Sequence, residues 1–463
     1  MECFDVAVIG GGPAGIFTCY ELAKAQPALK VVLLEYGSPI GDRSCPIIRG
    51  QVPRCINCPT CSIMRGFGGA GAFSDGKFNF TAEFGGWLSD YLPDREILQL
   101  IEYVDQVNQS FGADSPTFST GTPAADQIRR QALALDLHLL NARCKHLGTD
   151  KNRDMLLSQY HWLDQHIDLR CQTQVADIEP LADGRYRLSC SSGDLETRYL
   201  VAAPGRAGAE WFSNQCKRLK LPLTNNQVDL GVRVELPAIV FQSITDAVYE
   251  AKIKYRTKAY GDVVRTFCMN PRGYVVTENT DGIITVNGHS YEDPKLQSQN
   301  TNFALLVSNR FTSPFQEPYR YGKHIAELSN MLGGGVMVQR LGDLVEGRRS
   351  NEHRLDGSFV RPTLAATPGD LSLVLPKRHL DNIVEMLYQL DKLAPGTANS
   401  DTLLYGVEVK FYSYRIQLTP ELETPLPGFF AIGDGAGITR GLSQASASGV
   451  VAARAILRRL SQA

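Results

Sequence analysis

The chain has 463 residues, of which 43% are hydrophobic and 21% charged, and its formal net charge is -2. This composition is typical of globular proteins, and the length allows about three domains. The near-balanced charge gives no electrostatic reason to expect a nucleic acid or an anionic membrane as partner. The first strand begins close to Met1 and no apolar run has membrane-spanning length, so we expect a cytoplasmic protein without a signal peptide.

The first predicted element is a βαβ unit. An apolar run at residues 6–9 leads into a glycine-rich turn, a helical pattern and a second apolar run that ends at Glu35. The glycines permit a tight turn and let a pyrophosphate approach the helix N-terminus, and the acid is placed to bind ribose hydroxyls. An acid here argues against a 2′-phosphate, so the pattern predicts an FAD or NAD type of dinucleotide. The predicted ligand residues are Gly10, Gly12, Pro13, Ala14, Gly15 and Glu35.

A cluster of four cysteines follows, Cys55, Cys58 and Cys61 at two-residue gaps with Cys45 upstream. This spacing is typical of thiolate ligands of a [4Fe–4S] cluster, which would relay single electrons to or from a flavin. Structural zinc in the same thiolates is one alternative, and a redox disulfide or buried thiols is another. Eleven cysteines in all, an odd number, fit a reduced compartment better than a disulfide framework.

The remaining elements are read from periodicity and turn signals. A glycine-rich stretch at 65–77 places small residues where a flat ring or a phosphate can lie against the main chain, although a flexible loop is an equal alternative. An alternating pattern over 228–290 predicts an antiparallel sheet, and the C-terminal forty residues predict a strand, a glycine turn and a helix. Helices are predicted at 93–112, 122–133, 150–163, 321–331 and 379–393, and strands at 169–178 and 198–203.

The sequence contains no second Gly-x-Gly-x-x-Gly unit with a strand and an acid, so we expect one tightly held dinucleotide and no separate NAD(P)H domain. We predict a discontinuous cofactor domain that is interrupted by an inserted, sheet-rich substrate domain. The predicted divisions are 1–85, 165–222 and 400–463 for the cofactor domain, 86–164 for a helical segment and 223–399 for the insertion.

The opening unit, the strand end at 204–208 and the terminal AIGDGAG resemble the FAD-binding domain of the glutathione-reductase-like flavoprotein superfamily. More narrowly, FGGAGAFSDGK, VRTFCMNPRGYVV, ITVNGHS and YGVEVKFYSYRI resemble a family of uncharacterised bacterial and archaeal FAD-dependent dehydrogenases. The resemblance implies an α/β, Rossmann-like FAD-binding domain with an inserted mixed α+β substrate or cap domain. Besides the opening unit, it implies FAD contacts at Gly69, Ala70, Gly71, Ser74, Val175, Gly205, Gly433, Asp434 and Gly441.

A flavin supplies the capacity to carry hydride or electrons, and the protein must supply orientation, charge near the ring and a proton donor. For each charged candidate the structural alternative is a solvated or paired charge, and a lone histidine is commonly a hydrogen-bonded structural residue. The candidates for these roles are Lys77, Arg265, Cys268, His289, Glu408 and Arg415.

We therefore expect an FAD-dependent oxidoreductase that acts on a small molecule, with ferredoxin or NAD(P)H as an external electron donor. A flavin-bound protein that binds or modifies RNA is an alternative, which the balanced charge disfavours. A redox sensor without catalytic turnover is a further alternative.

Overall fold

The structure is a computed structural model that describes residues 1–52, 56, 58–74, 76–119, 121–140, 143–280, 282–291, 293–309, 311–312, 314–315 and 317–462. The chain forms two compact units. The first comprises Met1–Thr117, Lys145–Asn226 and Tyr412–Ala463, and the second comprises Phe118–Cys144 and Gln227–Phe411. The longer segment of the second unit, Gln227–Phe411, corresponds to the predicted insertion, for which the sequence predicts the bounds 223–399.

The helices are amphipathic or buried segments that begin mainly at or directly after Pro or Gly, in agreement with the turn signals of the sequence. None of the helices within the described residues is long and apolar enough to cross a membrane. In chain order the helices are α1 (Pro13–Ala25), α2 (Asp94–Ser110), α3 (Pro123–Leu133), α4 (Thr149–Asp164), α5 (Ala209–Arg218), α6 (Ala238–Val248), α7 (Pro318–Gly333), α8 (Leu341–Val345), α9 (Glu352–Asp356), α10 (Lys377–Leu393) and α11 (Leu442–Gln462).

The strands are rich in apolar and β-branched residues, which favour extended backbone. In chain order they are β1 (Glu2–Ile9), β2 (Val31–Leu34), β3 (Lys77–Phe80), β4 (Thr117–Phe118), β5 (Leu137–Leu139), β6 (Arg143–His146), β7 (Asp168–Arg170), β8 (Val175–Pro180), β9 (Tyr186–Cys190), β10 (Leu195–Ala202), β11 (Leu223–Thr224), β12 (Val228–Pro237), β13 (Ile253–Arg256), β14 (Val263–Asn270), β15 (Tyr274–Thr280), β16 (Ile283–His289), β17 (Asn300–Asn309), β18 (Met337–Arg340), β19 (Thr367–Pro368), β20 (Leu403–Lys410), β21 (Arg415–Ile416) and β22 (Phe429–Ala431).

The first unit is organised around a sheet with strand order β7-β2-β1-β10-β9-β8, and β22 also pairs with β10. Strands β2, β1, β10 and β22 run parallel, so their carboxyl ends meet at one edge. Every residue of β2 is buried and apolar, as expected for a strand covered on both faces. Helices α1 and α11 pack so closely that a Cβ at Gly449 would lie 2.2 Å from the carbonyl oxygen of Ala14. The predicted α/β fold with a parallel sheet is confirmed.

The second unit contains an eight-stranded sheet with order β19-β18-β20-β12-β17-β14-β13-β5, and its central pairs are antiparallel. Apolar and polar residues alternate along β12, so they lie on opposite faces of the sheet. Val228, Leu230 and Val232 belong to a core that also contains residues of α6 and α10. Asp229 and Arg233 lie on the opposite face and are buried too. This sheet therefore has one apolar face and one polar face, and the polar face carries ionisable side chains.

His379 lies in the first turn of α10, and burial lowers the pKa of its imidazole to about 4. Only 5% of the residue is exposed, and neither ring nitrogen has a hydrogen-bond partner within the described ranges. The charge of Asp262 raises the pKa and that of Arg378 lowers it, but burial has the largest effect. The imidazole is therefore neutral in the folded protein at pH 7.

Because the folded-state pKa of His379 lies below the ordinary value of 6.5, this residue contributes stability above pH 6.5 that is lost as the pH falls towards 4. Between pH 7 and pH 5 we expect the wild type to lose about 2 kcal/mol more free energy of unfolding than a His379→Leu variant loses. Urea denaturation at both pH values measures the difference. As control, His324→Gln alters a side chain that is 66% exposed. Equal pH dependence of His379→Leu and wild type would contradict the expectation.

Candidate functional site

The carboxyl edge of the parallel strands brings three glycine-rich turns of the first unit together. The turn that begins at Gly10 follows β1, the turn at Gly205 follows β10, and the turn at Gly433 follows β22. A Cβ at Gly435 would lie 2.5 Å from Cγ of Pro204, so the last two turns are in contact. This edge is where ligands bind in open α/β sheets.

Helix α1 presents its N-terminus at this edge without a capping side chain. Gly12 precedes the helix, no side chain caps it, and its first turn contains no acidic residue. The first N–H groups and the positive end of the helix dipole are therefore available to an anionic ligand. This arrangement is the one that the sequence predicts for Pro13 and Ala14.

The glycines of the motif have different roles. A Cβ at Gly10 would lie 2.1 Å from the carbonyl oxygen of Ala203, and one at Gly15 would lie 2.0 Å from that of Gly10. These two glycines are required by the packing of the backbone itself. A Cβ at Gly12 would contact only Cα of Gly69, at 3.9 Å. The space at Gly12 is thus open in the protein and suits a ligand that approaches the main chain.

The carboxylate of Glu35 is buried and accepts three backbone hydrogen bonds. Gly11 donates to Oε2 at 2.7 Å, and Gly37 and Gly66 each donate to Oε1 at 2.8 Å. A carboxylate offers about four acceptor positions, so one position remains for a ribose hydroxyl. Glu35 therefore has a structural role that the sequence does not reveal, since it ties the first glycine turn to the loop that contains Gly66.

Arg43 fixes the loop at 62–69 and is not among the predicted site residues. Its guanidinium is buried and donates hydrogen bonds of 2.7–2.9 Å to four carbonyl oxygens. Burial lowers the pKa of Arg43 to about 10, which leaves it a cation at pH 7. Its segment has no helical or strand period, so no pattern distinguishes Arg43 from a solvated arginine. The four acceptors belong to Ser62, Ile63, Phe67 and Gly69.

The loop at Gly69, Ala70 and Gly71 lies directly against the first turn and against α11. A Cβ at Gly69 would lie 3.1 Å from Cα of Gly12, and one at Gly71 would lie 2.6 Å from Leu442. The carbonyl oxygen of Gly71 accepts hydrogen bonds from Asn152 at 2.9 Å and from the Ser74 hydroxyl at 2.7 Å. These contacts fix the loop beside Gly12. Ser74 thereby supports the loop through its side-chain hydroxyl.

The C-terminal turn carries polar groups that are buried at the start of α11. The hydroxyl of Thr439 donates to Oδ1 of Asp434 at 2.7 Å, and Gly433 donates to Ser448 at 3.1 Å. Ser443 Oγ and Gln444 Oε1 are buried, and neither has a hydrogen-bond partner in the part of the chain that the structure describes. Orphaned buried polar atoms of this kind fit a polar ligand at the helix start.

The other predicted contacts lie near the same edge. Thr173 donates its N–H to the carbonyl oxygen of Glu35 at 2.9 Å. Val175, the first residue of β8, follows Thr173 by two residues. Gly205 adopts a φ of +62°, and no atom lies within 4 Å of the position of a Cβ there. Gly441 lies near Gly85, with 3.7 Å between the position of its Cβ and Cα of Gly85.

The structure does not support the predicted metal site. Cys45, Cys58 and Cys61 are free cysteines of intermediate exposure. Apart from the residues that are not described, no group of three His, Cys, Asp or Glu side chains is suited to hold a metal ion. Cys55, the fourth predicted ligand, lies outside the described residues. Among the described residues, Cys45, Cys58 and Cys61 are therefore not part of a metal-ligand set.

The polar face of the second unit contains a buried ion pair between Arg233 and Glu408. The guanidinium donates to both carboxylate oxygens, at 2.8 and 3.0 Å, and Lys410 lies 2.8 Å from the same carboxylate. Burial alone raises the pKa of Glu408, but the charges of Arg233 and Lys410 lower it below its ordinary value. Glu408 is therefore a fixed negative charge, and the geometry does not support it as a proton donor.

Cys268 is held by its backbone beside this ion pair. Its φ of +45° lies in the left-handed region, at an irregularity in the pairing of β14 with β17. Its carbonyl oxygen accepts hydrogen bonds from Arg233 at 3.1 Å and from Asn270 at 2.9 Å. The strained backbone at Cys268 thus directs its carbonyl oxygen to the buried guanidinium, and the residue is partly exposed.

The remaining candidates are distributed over both units. Arg265 pairs with Asp229 on the polar face of the second unit. His289 ends β16, where its ring lies 4.8 Å from that of Tyr291. Lys77 begins β3 in the first unit. Arg415, also in the first unit, pairs with Asp90 at 2.5 Å.

Comparison with known proteins identifies one family model. The family is described as FAD-dependent protein, C-terminal domain-like, and its model matches residues 228–411. The match spans most of the second unit. The description of the family agrees with the predicted dependence on FAD. No curated protein matches the chain.

Several solved structures are remotely similar. Glycine oxidase from Geobacillus kaustophilus is 13% identical, with 99% of this chain and 95% of that chain covered and a TM-score of 0.41. L-proline dehydrogenase from P. horikoshii is 11% identical, with coverages of 99% and 94% and a TM-score of 0.41. The p-nitrophenol 4-monooxygenase from Pseudomonas putida DLL-E4 is 12% identical, with coverages of 100% and 82% and a TM-score of 0.39. Likenesses at this level define no substrate for this chain.

Proposed function

We propose that the protein is an FAD-dependent oxidoreductase that acts on a small molecule. The observation that carries this proposal is the open space at Gly12, which faces an uncapped helix N-terminus beside the buried Glu35. A dinucleotide needs this combination, because its pyrophosphate must approach the backbone and its ribose needs an acceptor. The family that matches the second unit is described as FAD-dependent, which favours FAD over NAD.

Different residues of the first unit would bind different parts of the cofactor. The turn at Gly12 and the first N–H groups of α1 would hold the pyrophosphate, and the remaining acceptor position of Glu35 would hold a ribose hydroxyl. Asp434 and the orphaned polar atoms of Ser443 and Gln444 would bind the polar groups of the other half of the cofactor. When bound, FAD supplies the capacity to accept and release hydride or single electrons.

The buried carboxylate of Glu35 yields the first test of this assignment. We expect Glu35→Ala to lower FAD affinity at least tenfold, because the variant loses the ribose acceptor and three hydrogen bonds that fix the loops. Cys190→Ala is the control, since the side chain of Cys190 takes no part in these three hydrogen bonds. Titration of the apoprotein with FAD measures both affinities. If the two variants retain FAD equally well, the assignment of Glu35 fails.

Catalytic turnover separates an oxidoreductase from a redox sensor. The FAD-loaded protein is mixed anaerobically with NADPH or with reduced ferredoxin, and ferricyanide is added as electron acceptor. We expect repeated turnover with at least one donor, and we expect NADPH to act as a transient donor with weak affinity. A protein that retains FAD but, after subtraction of the reaction without protein, reduces no more than two equivalents of ferricyanide per flavin with either donor would favour the sensor, because one reduced FAD holds two electrons.

A further inference from the structure

Helix α4 packs against the glycine-rich loop at 67–74 in the first unit. The ring centroids of Tyr160 and Phe67 are 5.0 Å apart. One turn earlier in the helix, Leu156 lies so close to the loop that a Cβ at Gly68 would be 2.8 Å from its Cδ1. Apolar contacts of this kind have no preferred direction, so they set the distance between helix and loop rather than the orientation of the peptide groups.

Asn152 adds hydrogen bonds, which do have a direction, one helical turn before Leu156. The residue is 2% exposed. Its side-chain amide donates to the carbonyl oxygen of Gly71 at 2.9 Å and to that of Ser74 at 3.4 Å. A side-chain amide has two N–H donors, so one buried group holds two carbonyl oxygens of the loop.

The hydrogen bond from Asn152 to Gly71 is linked to the turn that faces Gly12. In a trans peptide the carbonyl oxygen and the N–H point in opposite directions. Asn152 therefore fixes the N–H that follows Gly71, which belongs to Ala72 and donates to the carbonyl oxygen of Gly69 at 3.3 Å. Gly69 is the residue whose Cβ would lie 3.1 Å from Cα of Gly12.

The turn Gly69–Gly71 is thus held at both ends by buried side chains. Arg43 donates to the carbonyl oxygen of Gly69 at 2.8 Å, and Asn152 donates to that of Gly71. Both residues come from segments outside the glycine motif. A turn that is fixed before a ligand arrives loses little conformational freedom on binding, which increases the affinity.

We propose that Asn152 is a positioning residue for FAD. It acts through the turn Gly69–Gly71, which it holds in the orientation that receives the cofactor beside Gly12. This inference rests on the proposed function and adds a residue of α4 to the cofactor site. The sequence assigns α4 to a separate helical segment, whereas the structure places the helix in the first unit.

An Asn152→Leu variant tests the proposal, because leucine has a similar shape and no hydrogen-bond donor. We expect the FAD affinity of the folded apoprotein to fall at least tenfold. Titration with FAD measures the affinity, and thermal unfolding of the apoprotein measures stability separately. If Asn152→Leu does not fold, Asn152→Ala replaces it, with the same expected loss.

Gln159→Met is the matched control in the same helix. Gln159 is 3% exposed and donates one hydrogen bond of 2.9 Å, but its acceptor is Asn108 of α2 rather than the loop. We expect this variant to lose thermal stability and to keep its FAD affinity within twofold of the wild type. A purely structural role of Asn152 would lower the unfolding temperature in both variants and leave the FAD affinity of both unchanged.

Two results would overturn the positioning role. One is an FAD affinity of the folded Asn152 variant within twofold of the wild type, and the other is an equal loss of affinity in Gln159→Met. Either result leaves the proposed function intact if the wild type holds FAD. Wild-type protein that takes up no FAD refutes the proposed function and the positioning role together.

Discussion

A Gly12→Val variant is expected to lose at least a hundredfold in FAD affinity while it keeps its fold. The new Cβ meets only Cα of Gly69, at 3.9 Å, and the φ of −80° at Gly12 is accessible to valine. Loss of glycine before the helix costs about 1 kcal/mol of stability or less. The added side chain instead fills the space that we assign to the pyrophosphate. FAD titration and thermal unfolding of the apoprotein measure the two effects separately.

Gly15→Ala is the contrasting variant in the same motif. Its Cβ would lie 2.0 Å from the carbonyl oxygen of Gly10, so the backbone itself must move. We expect low solubility or a clear loss of thermal stability even in the absence of FAD. If Gly12→Val bound FAD as tightly as the wild type does, the pyrophosphate would not lie at Gly12.

The second large effect is expected at the buried ion pair of the second unit. Arg233→Met leaves the carboxylate of Glu408 buried and without its guanidinium partner, although Lys410 remains. Removal of one partner of a buried pair destabilises a protein by about 3–5 kcal/mol. We expect a loss in that range in the free energy of unfolding, measured by urea denaturation at pH 7. The side chains of both partners are 0% exposed, so solvent screens the pair little.

Two further variants isolate the charge effect. Lys377→Met breaks an exposed pair with Asp381, which is expected to change stability by less than about 1 kcal/mol. The double variant Arg233→Met with Glu408→Gln removes both charges, and we expect it to recover part of the stability lost by the single variant. Equal stability of Arg233→Met and wild type would show that the pair is not buried as described.

The sequence predicts local elements of this protein well, because they depend on local chemistry. The helical pattern at 93–112 corresponds to α2, which spans Asp94–Ser110, and the pattern at 379–393 corresponds to α10, which spans Lys377–Leu393. The opening βαβ unit is found as predicted, since the strand, the glycines, the helix and Glu35 follow one another within a short segment. The alternation over 228–290 corresponds to antiparallel strands except at Ala238–Val248, where the prediction is wrong because these residues form helix α6.

What the sequence does not reveal depends on contacts between distant segments. Strand β17, Asn300–Asn309, begins with polar residues and has no clear alternation, yet it pairs with both β12 and β14 in the centre of the sheet. Segment 118–144 is predicted within a helical region, and the structure places it in the second unit. Arg43 acquires its role only because the loop at 62–69 folds around its guanidinium. The cysteine spacing suggests a ligand set that is not found among the residues that the structure describes.

The FAD content of the purified protein tests the central claim most directly. The protein is purified without added cofactor, its visible spectrum is recorded, and the apoprotein is then mixed with FAD and freed of excess ligand. We predict a yellow protein with the two visible bands of oxidised flavin and about one FAD per chain, which denaturation releases intact because it is bound noncovalently. A colourless protein that retains no FAD after reconstitution would contradict the account.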